Sequence, residues 1–471
     1  MNRWNRKGGW VIGCLLITSG LILFFNLWAR SLENRDYLRY AEVAREMIRS
    51  GDWIILRYNG EIYLDKPPLL FWLIAIPSYI YGSVTPLIAR LPSALSAWIG
   101  TLLLFLWGKR VYGTTQSGLI AGGIALSSYQ YFFQARFAKT DMLLCFFILL
   151  SLYFFYLGYG ASGRRRYLFH VLSFFSIGLG TLTKGPFGLF IPFFIMSIFL
   201  IKERRWSLLI SREFILGYII IALTVLPWVF LFIHRFGFEQ TVALVKDTQI
   251  LTRHAPIYFY LIQIWGQFFP WSLLLPFLFV HLWSRKRRIL YSGESFFLIW
   301  FIVLFILLTI FKYRASRYLF PALPPLALMI GGMWKKRASL FFIPFIVFIL
   351  VWHGVEINWV RKDLSNSPGM VLVGELSPFL KGSTLYGYQL DVSTAEEINF
   401  YLDPIVPIPL LENVEDLSYQ LRKKEKGLVL MPKEVYEKVR VKKEDSMAFI
   451  QEFSYKKGRL VLVSNRPEGH P

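Results

Sequence analysis

The stretch that decides the fold runs from Leu32 to Trp72 and reads LENRDYLRYAEVAREMIRSGDWIILRYNGEIYLDKPPLLFW. In its first half, apolar residues recur at helical spacing and form one face, made of Tyr37, Tyr40, Ala41, Ala44, Met47 and Ile48. The opposite face is charged and carries Arg35, Arg39, Glu42, Arg45, Glu46 and Arg49. Asn34 is suited to cap this helix and Gly51 to end it. We therefore predict an amphipathic helix that lies along a membrane surface.

Two acids and a lysine in this stretch are candidates for chemistry. Asp36 falls in the first turn of the predicted helix, and Asp65 and Lys66 stand directly before Pro67-Pro68, which make the backbone rigid. Simpler explanations exist for both sites. Asp36 also complements the helix dipole, an effect of about 0.5 kcal/mol, and Lys66 also has the length to snorkel toward headgroups.

The composition indicates a membrane protein with many spans. Hydrophobic residues make up 55% of the 471 residues and aromatic residues 18%, too much for a soluble domain of this size. Charge-free runs long enough to cross the bilayer predict about eleven spans. They begin at Trp10, Leu91, Val111, Met142, Tyr167, Gly185, Phe214, Ser295, Tyr318 and Ala338, with one more in the second half of 255–284.

Basic clusters set the predicted topology. With the amino terminus in the cytoplasm, eleven spans place the clusters at 108–110, 164–166, 202–205, 285–288 and 335–337 inside. This requires Pro67–Ala89 to be a re-entrant or interfacial helix and 255–267 to lie on the surface. The outer loops then hold 17 Lys and Arg against 10 acids. Either anionic headgroups or a phosphate-binding site accounts for this excess.

The last part of the chain predicts a different kind of domain. From about Glu356 the sequence alternates strand patterns at 384–388 and 428–431 with helical patterns at 395–402 and 415–422. We therefore divide the chain into a transmembrane domain over 1–355 and a small extracytoplasmic α/β domain over 356–471. This second domain contains no Gly-rich phosphate loop and no clustered metal ligands.

Charged residues at span ends supply the remaining candidates. Asp141 stands at the mouth of the span from Met142, where it is also suited to cap the helix, and Lys184 and Arg317 flank other spans. The two cations also have the simpler option of snorkelling. The charge-free spans contain no carboxylate, which argues against a proton-coupled transporter. An enzyme acting on a lipid headgroup needs its charges at the membrane surface instead.

Together these motifs resemble one family. The motifs DYLRYAEVAREM, SGDW, YLDKPPLLFWL, ARLPSA, AKTD, KGPFG and RYLFPALPP occur in that order between Asp36 and Pro325. They resemble the aminoarabinose transferases and dolichyl-phosphate-mannose protein mannosyltransferases, which are GT-C glycosyltransferases. The DKPP box is the most specific part, and the likeness runs from about residue 10 to 335.

The resemblance implies an inverting transfer of a sugar from a polyprenyl-phosphate carrier at the outer face. It implies catalytic roles for Asp36, as general base or positioning group, and for Asp141, as the second acid. Donor-phosphate binding falls to Arg39, Tyr40, Lys66, Lys184 and Arg317. Fixed cations suit this chemistry because the departing polyprenyl phosphate gathers negative charge.

Two departures from the family pattern concern the acids and the metal. Tyr37 stands where many members have an acid directly after the first Asp, which leaves a shared role of paired carboxylates open. His254 lies one residue nearer the following Pro than in the aminoarabinose enzymes. A divalent metal held by Asp65 and His254 is therefore an open expectation, and no cofactor is certain.

The sequence thus predicts a bacterial inner-membrane glycosyltransferase with its site and its C-terminal domain on the periplasmic side. Its expected partners are a polyprenyl-phosphate sugar, lipid A or another envelope glycolipid, and membrane lipids, with no nucleic acid. Two alternatives remain open. One is a protein O-mannosyltransferase, and the other is a flippase or exporter of lipid-linked sugars.

Overall fold

The structure, a computed structural model, divides into two compact units. It describes residues 2–29, 32, 35–239, 255–285, 293–310, 314–334, 339–366, 368–380, 383–402, 408–422, 427–441, 447–455 and 458–465. The first unit, here called the helical unit, comprises Met1–Leu27, Met47–Leu56 and Tyr63–Glu356. The second, here called the mixed unit, comprises Trp28–Glu46, Arg57–Ile62 and Ile357–Pro471.

The helical unit is built from α-helices, several of them strongly apolar. In chain order the helices up to residue 236 are α1 (Asn2–Phe24), α2 (Arg35–Ser50, shared with the mixed unit), α3 (Leu69–Tyr81), α4 (Pro86–Tyr112), α5 (Thr115–Ser127), α6 (Tyr129–Ala135), α7 (Thr140–Tyr159), α8 (Gly163–Lys184), α9 (Pro186–Lys202) and α10 (Arg212–Phe236). They are followed by α11 (Phe259–Gln267), α12 (Leu275–Ser284), α13 (Glu294–Ile310), α14 (Leu323–Met333) and α15 (Ser339–Asn366, which runs into the mixed unit). Short 3₁₀ turns cover Trp206–Ile210, Trp271–Leu274 and Ser316–Ala322.

Length and hydropathy identify candidate membrane spans among these helices. Within the described residues, α4, α7, α10 and the Ser339–Asn358 part of α15 are long and apolar enough to cross a bilayer. The segments Phe259–Gln267 and Trp271–Ser284 form a pair bent by 115°, and they pass the length and hydropathy criteria only together. The surface helix predicted over 255–267 and the span predicted after it stay predictions. Gly9–Phe24, α3, α9 and α13 are apolar but shorter. The predicted total of about eleven spans stays a prediction.

The segment predicted as a single re-entrant or interfacial helix over 67–89 is divided in two. α3 ends at Tyr81 because Gly82 adopts the left-handed conformation, with φ +94°, and its N–H bonds to the carbonyl of Ser78. α4 then begins at Pro86, with Thr85 as the N-cap whose side chain accepts a hydrogen bond from the N–H of Ile88. The last residues of the predicted helix therefore belong to α4.

Two arginines of the predicted outer loops hold the end of α1. Arg136 donates to the carbonyl oxygens of Leu23 (2.7 Å) and Phe25 (2.5 Å), and its Nε pairs with the carboxylate of Glu356 at 2.6–2.7 Å. Arg90 donates to the carbonyl of Leu27 at 3.0 Å. Both arginines are 2% exposed. Neither lipid headgroups nor a phosphate is needed to account for these two arginines. Their guanidinium groups donate to carbonyl oxygens at the end of α1 and, for Arg136, to the carboxylate of Glu356.

The mixed unit contains a five-stranded sheet. Its strands are β3 (Thr384–Tyr388), β4 (Leu410–Leu411), β5 (Gly427–Pro432), β6 (Ala448–Tyr455) and β7 (Gly458–Ser464), in the spatial order β4-β3-β5-β7-β6. β3 pairs in parallel with β4 and β5, while β7 is antiparallel to β5 and β6. The helices are α16 (Pro368–Leu376), α17 (Val392–Leu402), α18 (Val414–Leu421) and α19 (Lys433–Val441). All four elements predicted between residues 384 and 422 and at 428–431 are confirmed in type and place.

The predicted amphipathic helix is confirmed as α2, and Gly51 follows it with φ +68°. Tyr37, Tyr40, Ala41, Ala44 and Met47 of the predicted apolar face are buried. Glu42, predicted on the exposed face, is 7% exposed instead. The predicted cap, Asn34, lies outside the described residues.

A short hairpin completes the first loop. β1 (Arg57–Tyr58) and β2 (Glu61–Ile62) are antiparallel, and Asn59 and Gly60 between them both have positive φ, +51° and +81°. This is the two-residue turn that Asn-Gly favours. The carboxylate of Glu46 accepts a hydrogen bond from the N–H of Gly60 at 3.2 Å, which fixes the turn to α2.

Candidate active site

Asp141 and Lys184 form a buried pair in the helical unit. Asp141 lies in the first turn of α7, whose N-cap position is Lys139, and Lys184 is the last residue of α8. The Lys184 ammonium donates to a carboxylate oxygen of Asp141, and the two residues are 8% and 5% exposed. Asp141 is therefore not the cap of α7, and Lys184 does not snorkel. The negative charge of Asp141 lies at the positive N-terminal end of α7, and the positive charge of Lys184 lies at the negative C-terminal end of α8.

Two glycines explain why Lys184 occurs at this place. Gly185 has φ +59° and ψ −134°, a conformation essentially restricted to glycine, and it reverses the chain between α8 and Pro186, the first residue of α9. A Cβ on Gly188 would lie 2.1 Å from the carbonyl carbon of Gly180. The LysGlyProPheGly motif thus combines a sharp turn with close packing of two helices, and it aims the lysine at α7.

Tyr318 brings a second cation to the same place. Its ring stacks on Phe187, with centroids 4.9 Å apart and planes at 19°. The Nζ of Lys184 lies 5.0 Å from the Tyr318 centroid, and the Cζ of Arg317 lies 5.8 Å from it. An aromatic face attracts both cations and holds them side by side.

Lys66 completes the group of cations. Its Nζ donates to the carbonyl oxygen of Asp65 at 2.8 Å. Burial lowers the pKa of Lys66 most, and the positive charges of Lys184 and Arg317 lower it further, while Asp65 and Asp141 raise it. Lys66 therefore lies within electrostatic reach of the other charges. We call the three cations Lys66, Lys184 and Arg317, together with the Asp141 carboxylate that Lys184 contacts, the cation cluster.

The remaining predicted residues lie on α2 in the mixed unit. Asp36 is half-buried in the first turn of the helix, as predicted. The guanidinium carbon of Arg39 lies 5.6 Å from the ring centroid of Tyr58, and Tyr40 is 6% exposed. The structure thus brings three predicted residues together on one helix and four others in the cation cluster. Their catalytic and binding roles stay predictions.

The predicted metal site is only partly described. Asp65 is exposed, and His254 lies outside the described residues. Within the part of the chain that the structure describes, no group of three or more His, Cys, Asp or Glu is arranged to hold a metal. The expectation of a divalent metal at Asp65 and His254 therefore stays open.

Sequence reasoning missed the two aromatic residues of the site. Phe187 and Tyr318 belong to the KGPFG and RYLFP motifs, but each motif was read for its cation alone. In sequence each aromatic residue lies within three positions of its cation, but the contact of both cations with the Tyr318 ring depends on the tertiary fold.

Comparison with known proteins places this geometry in context. Residues 65–230 match the family model described as dolichyl-phosphate-mannose-protein mannosyltransferase. An uncharacterised protein of Aquifex aeolicus is 30% identical over 329 residues, which cover 69% of this chain and 64% of that protein. A Pseudomonas fluorescens protein named undecaprenyl phosphate-alpha-4-amino-4-deoxy-L-arabinose arabinosyl transferase 2 is also 30% identical, over 70% of this chain and 57% of its own length. The matches thus span less than two thirds of these relatives.

The solved structures decide the architecture. ArnT from Cupriavidus metallidurans bound to undecaprenyl phosphate matches with a TM-score of 0.79 and 20% identity, over 97% of this chain and 98% of that one. The chain has the GT-C fold of ArnT. The ArnT match extends over the mixed unit as well, and it confirms the predicted combination of apolar helices with a small C-terminal sheet. The resemblance drawn from the motifs is confirmed with it, because the relatives named as transferases and the ArnT structures agree.

Proposed function

We propose that this protein is a membrane glycosyltransferase that takes its sugar from a polyprenyl-phosphate donor. The cation cluster is the observation that carries the proposal. Lys184 contacts the buried carboxylate of Asp141, Arg317 lies at the same Tyr318 ring as Lys184, and Lys66 is within electrostatic reach, so these four residues together carry more positive than negative charge. A phosphate at the head of a lipid carrier is the anion that suits such a site in an ArnT-type fold. The ArnT structure with bound undecaprenyl phosphate supports this choice of donor.

The proposed reaction is a displacement with inversion at the anomeric carbon. An acceptor oxygen forms a bond to that carbon, and the bond from the carbon to the phosphate oxygen breaks. The polyprenyl phosphate leaves with the electron pair, and the acceptor proton goes to a base. The developing negative charge on the leaving phosphate is stabilised by the fixed cations, whose effect is large in a site with little water.

Asp36 is the proposed base. Its carboxylate accepts the proton of an acceptor hydroxyl, or it positions an acceptor that is already an anionic phosphate. Asp141 orients Lys184 through the buried pair rather than exchanging a proton itself. Arg39 and Tyr40 keep the donor-binding role that the motif resemblance implies for them.

The finer parts of the proposal concern acceptor and location. We propose lipid A or another envelope glycolipid as acceptor, at the periplasmic face of a bacterial inner membrane crossed about eleven times. The printed names of several relatives support an aminoarabinose-like sugar. The five basic clusters at the predicted cytoplasmic turns support this orientation of the chain across the membrane.

A second candidate is a protein O-mannosyltransferase. The match of residues 65–230 to the mannosyltransferase family model favours it. The donor chemistry is the same, and only the acceptor differs, because a Ser or Thr hydroxyl of an exported chain replaces the glycolipid. A lipid-linked-sugar flippase or exporter would use the same cations for headgroup binding without breaking a bond.

Mass spectrometry of purified protein in detergent tests all three. Wild-type protein and Asp36→Asn are incubated with polyprenyl-phosphate sugars and lipid A, and with an acceptor peptide in a parallel arm. We expect a mass increase of one sugar on lipid A and release of free polyprenyl phosphate with the wild type only. Lys433→Ala, a substitution in the mixed unit away from α2, serves as the control and is expected to keep full activity.

Each other outcome contradicts a specific part. Sugar on the peptide instead of lipid A selects the mannosyltransferase. An intact donor with every acceptor contradicts the proposed transfer and directs the search to other acceptors first and to a transport role second. Full activity of Asp36→Asn removes Asp36 as the base, and loss of transfer with EDTA, restored by a divalent ion, establishes the metal requirement.

A further inference from the structure

The C-terminal end of α17 is held by an arginine from α2. The last four carbonyl oxygens of any helix lack partners within that helix. In α17 two of these four, on Asn399 and Phe400, accept hydrogen bonds from the guanidinium of Arg45, at 3.2 Å and 2.8 Å. A cation at this end also complements the negative pole of the helix.

The same guanidinium is fixed by two further contacts. It forms an ion pair with Glu42, one turn earlier on α2, and the two side chains are 11% and 9% exposed. Its Cζ also lies 4.9 Å from the ring centroid of Phe400. A planar guanidinium reaches these acceptors from two nitrogens at fixed positions and stacks on the ring as well, whereas a lysine ammonium is a point charge without that geometry, so lysine is a poor substitute.

A second attachment lies just before α2. The backbone N–H of Leu32 donates to the hydroxyl of Tyr401 at 3.2 Å, and Tyr401 is the residue after Phe400. The end of α17 therefore holds the chain at two points that are thirteen residues apart along the sequence, and both points belong to the mixed unit. Asn399 is itself fixed, because its side chain accepts a hydrogen bond from the N–H of Ile408 at 2.9 Å.

The geometry of α2 relates this attachment to the proposed base. Arg45 follows Asp36 by nine residues, which at about 100° per residue places the two side chains on opposite faces of the helix. The rise over nine residues is about 14 Å. α17 thus contacts α2 on the side opposite to the one that carries Asp36.

We propose that Arg45 is a positioning residue and that the α/β fold over 357–471 serves to hold α2 in place. This fold fixes the helix that carries Asp36, Arg39 and Tyr40, with Glu42 and Tyr401 as supports. The proposal rests on the function proposed above for Asp36.

The test compares four variants of the full chain: Arg45→Ala, Arg45→Lys, Tyr401→Phe and the control Arg49→Ala. Arg49 is an exposed arginine one turn further along α2. We expect kcat to fall at least tenfold in Arg45→Ala, to recover partly in Arg45→Lys, and to fall about twofold in Tyr401→Phe. The protection of α2 amides against hydrogen exchange is expected to fall most in Arg45→Ala and less in Arg45→Lys and Tyr401→Phe. The amides of β3, β5 and β7 are expected to stay protected in all four.

Hydrogen exchange keeps this proposal separate from the proposed function. If wild-type protein transfers no sugar, the proposed function fails, and the exchange of α2 amides alone decides whether Arg45 holds the helix. Wild-type kcat in Arg45→Ala overturns the positioning role. Loss of protection across the whole sheet in Arg45→Ala also overturns it, because the arginine would then only stabilise the fold.

Discussion

Two buried pairs of opposite charge, one in each compact unit, differ in what surrounds them. In the helical unit Lys184 pairs with Asp141, and two more cations, Lys66 and Arg317, lie close by. In the mixed unit Arg45 pairs with Glu42 and donates to two helix carbonyls. Acceptors of the protein thus balance the cation in the mixed unit, whereas positive charge remains in excess in the helical unit.

We propose that this difference separates a binding site from a structural contact. Burying a charge is costly unless a partner compensates it, and Asp141 compensates Lys184, the buried cation of the cluster. Lys66 and Arg317 are only half-buried, so we propose that a donor phosphate can approach them. Arg136 belongs with Arg45 in this respect, because the carbonyls at the end of α1 and Glu356 surround it. The number of Lys and Arg residues in the predicted outer loops does not distinguish a phosphate-binding site from a structural contact. The protein acceptors around each basic side chain do.

The strongest test of the comparison removes Lys184. We expect Lys184→Met to lower kcat about 10²- to 10³-fold, the cost of losing one group that stabilises developing negative charge. The free energy of unfolding falls by about 3–5 kcal/mol as well, because Asp141 loses its partner. Steady-state kinetics and thermal unfolding in detergent measure the two effects.

The double variant Asp141→Asn/Lys184→Met separates the loss of activity from the loss of stability. It removes both charges, so we expect most of the stability to return while activity stays low. A double variant with restored activity would mean that the pair only supports the fold.

The second test removes an arginine whose partners are all acceptors of the protein. We expect Arg136→Met to reduce the free energy of unfolding by about 3–5 kcal/mol, because Glu356 and the carbonyls of α1 lose their donor. The kcat per folded molecule is expected to stay within about twofold of the wild type, since this arginine has no excess charge to offer a phosphate. Unfolding curves and kinetics on the same preparation check it, and a loss of kcat at unchanged stability contradicts it.

Sequence patterns predicted elements better than partners. The apolar face of α2 and the strands and helices between 384 and 431 follow from local periodicity, which each segment carries by itself. The burial of Glu42 does not follow, because the carbonyl that binds Arg45 is 355 residues further along the chain. The local sequence does not distinguish a charged residue that contacts a distant helix end from one that is exposed to solvent.

The candidate site shows the same limit. The motifs indicated Asp141, Lys184, Lys66 and Arg317 one by one, through the resemblance. Their meeting depends on the turn at Gly185 and on the approach of Gly188 to Gly180, and both are tertiary facts. The role of Tyr318 depends in the same way on tertiary contacts, because its ring meets Phe187 and Lys184 from other parts of the chain.

The smallest expected effect concerns Lys66, the cation of the cluster whose acid–base behaviour is clearest. Burial, aided by the charges of Lys184 and Arg317, lowers the pKa of Lys66 below that of an ordinary lysine. The cation is therefore lost as pH rises through a value below 10.5, the ordinary lysine pKa. If Lys66 binds the donor phosphate, kcat/KM for the donor must fall in the alkaline range earlier than an unperturbed lysine allows.

Lys66→Arg decides whether that alkaline decline belongs to Lys66. Arginine stays charged at every accessible pH, so the alkaline loss is expected to disappear or move to higher pH, with kcat/KM near pH 7 changed only a few-fold. Lys66→Ala is expected to raise the KM for the donor about tenfold at neutral pH, as for the loss of one hydrogen bond to a charged group. An alkaline limb that is unchanged in Lys66→Arg assigns the titration to another group. It would then make Lys66 resemble Arg45, a cation whose role is to hold the protein rather than the substrate.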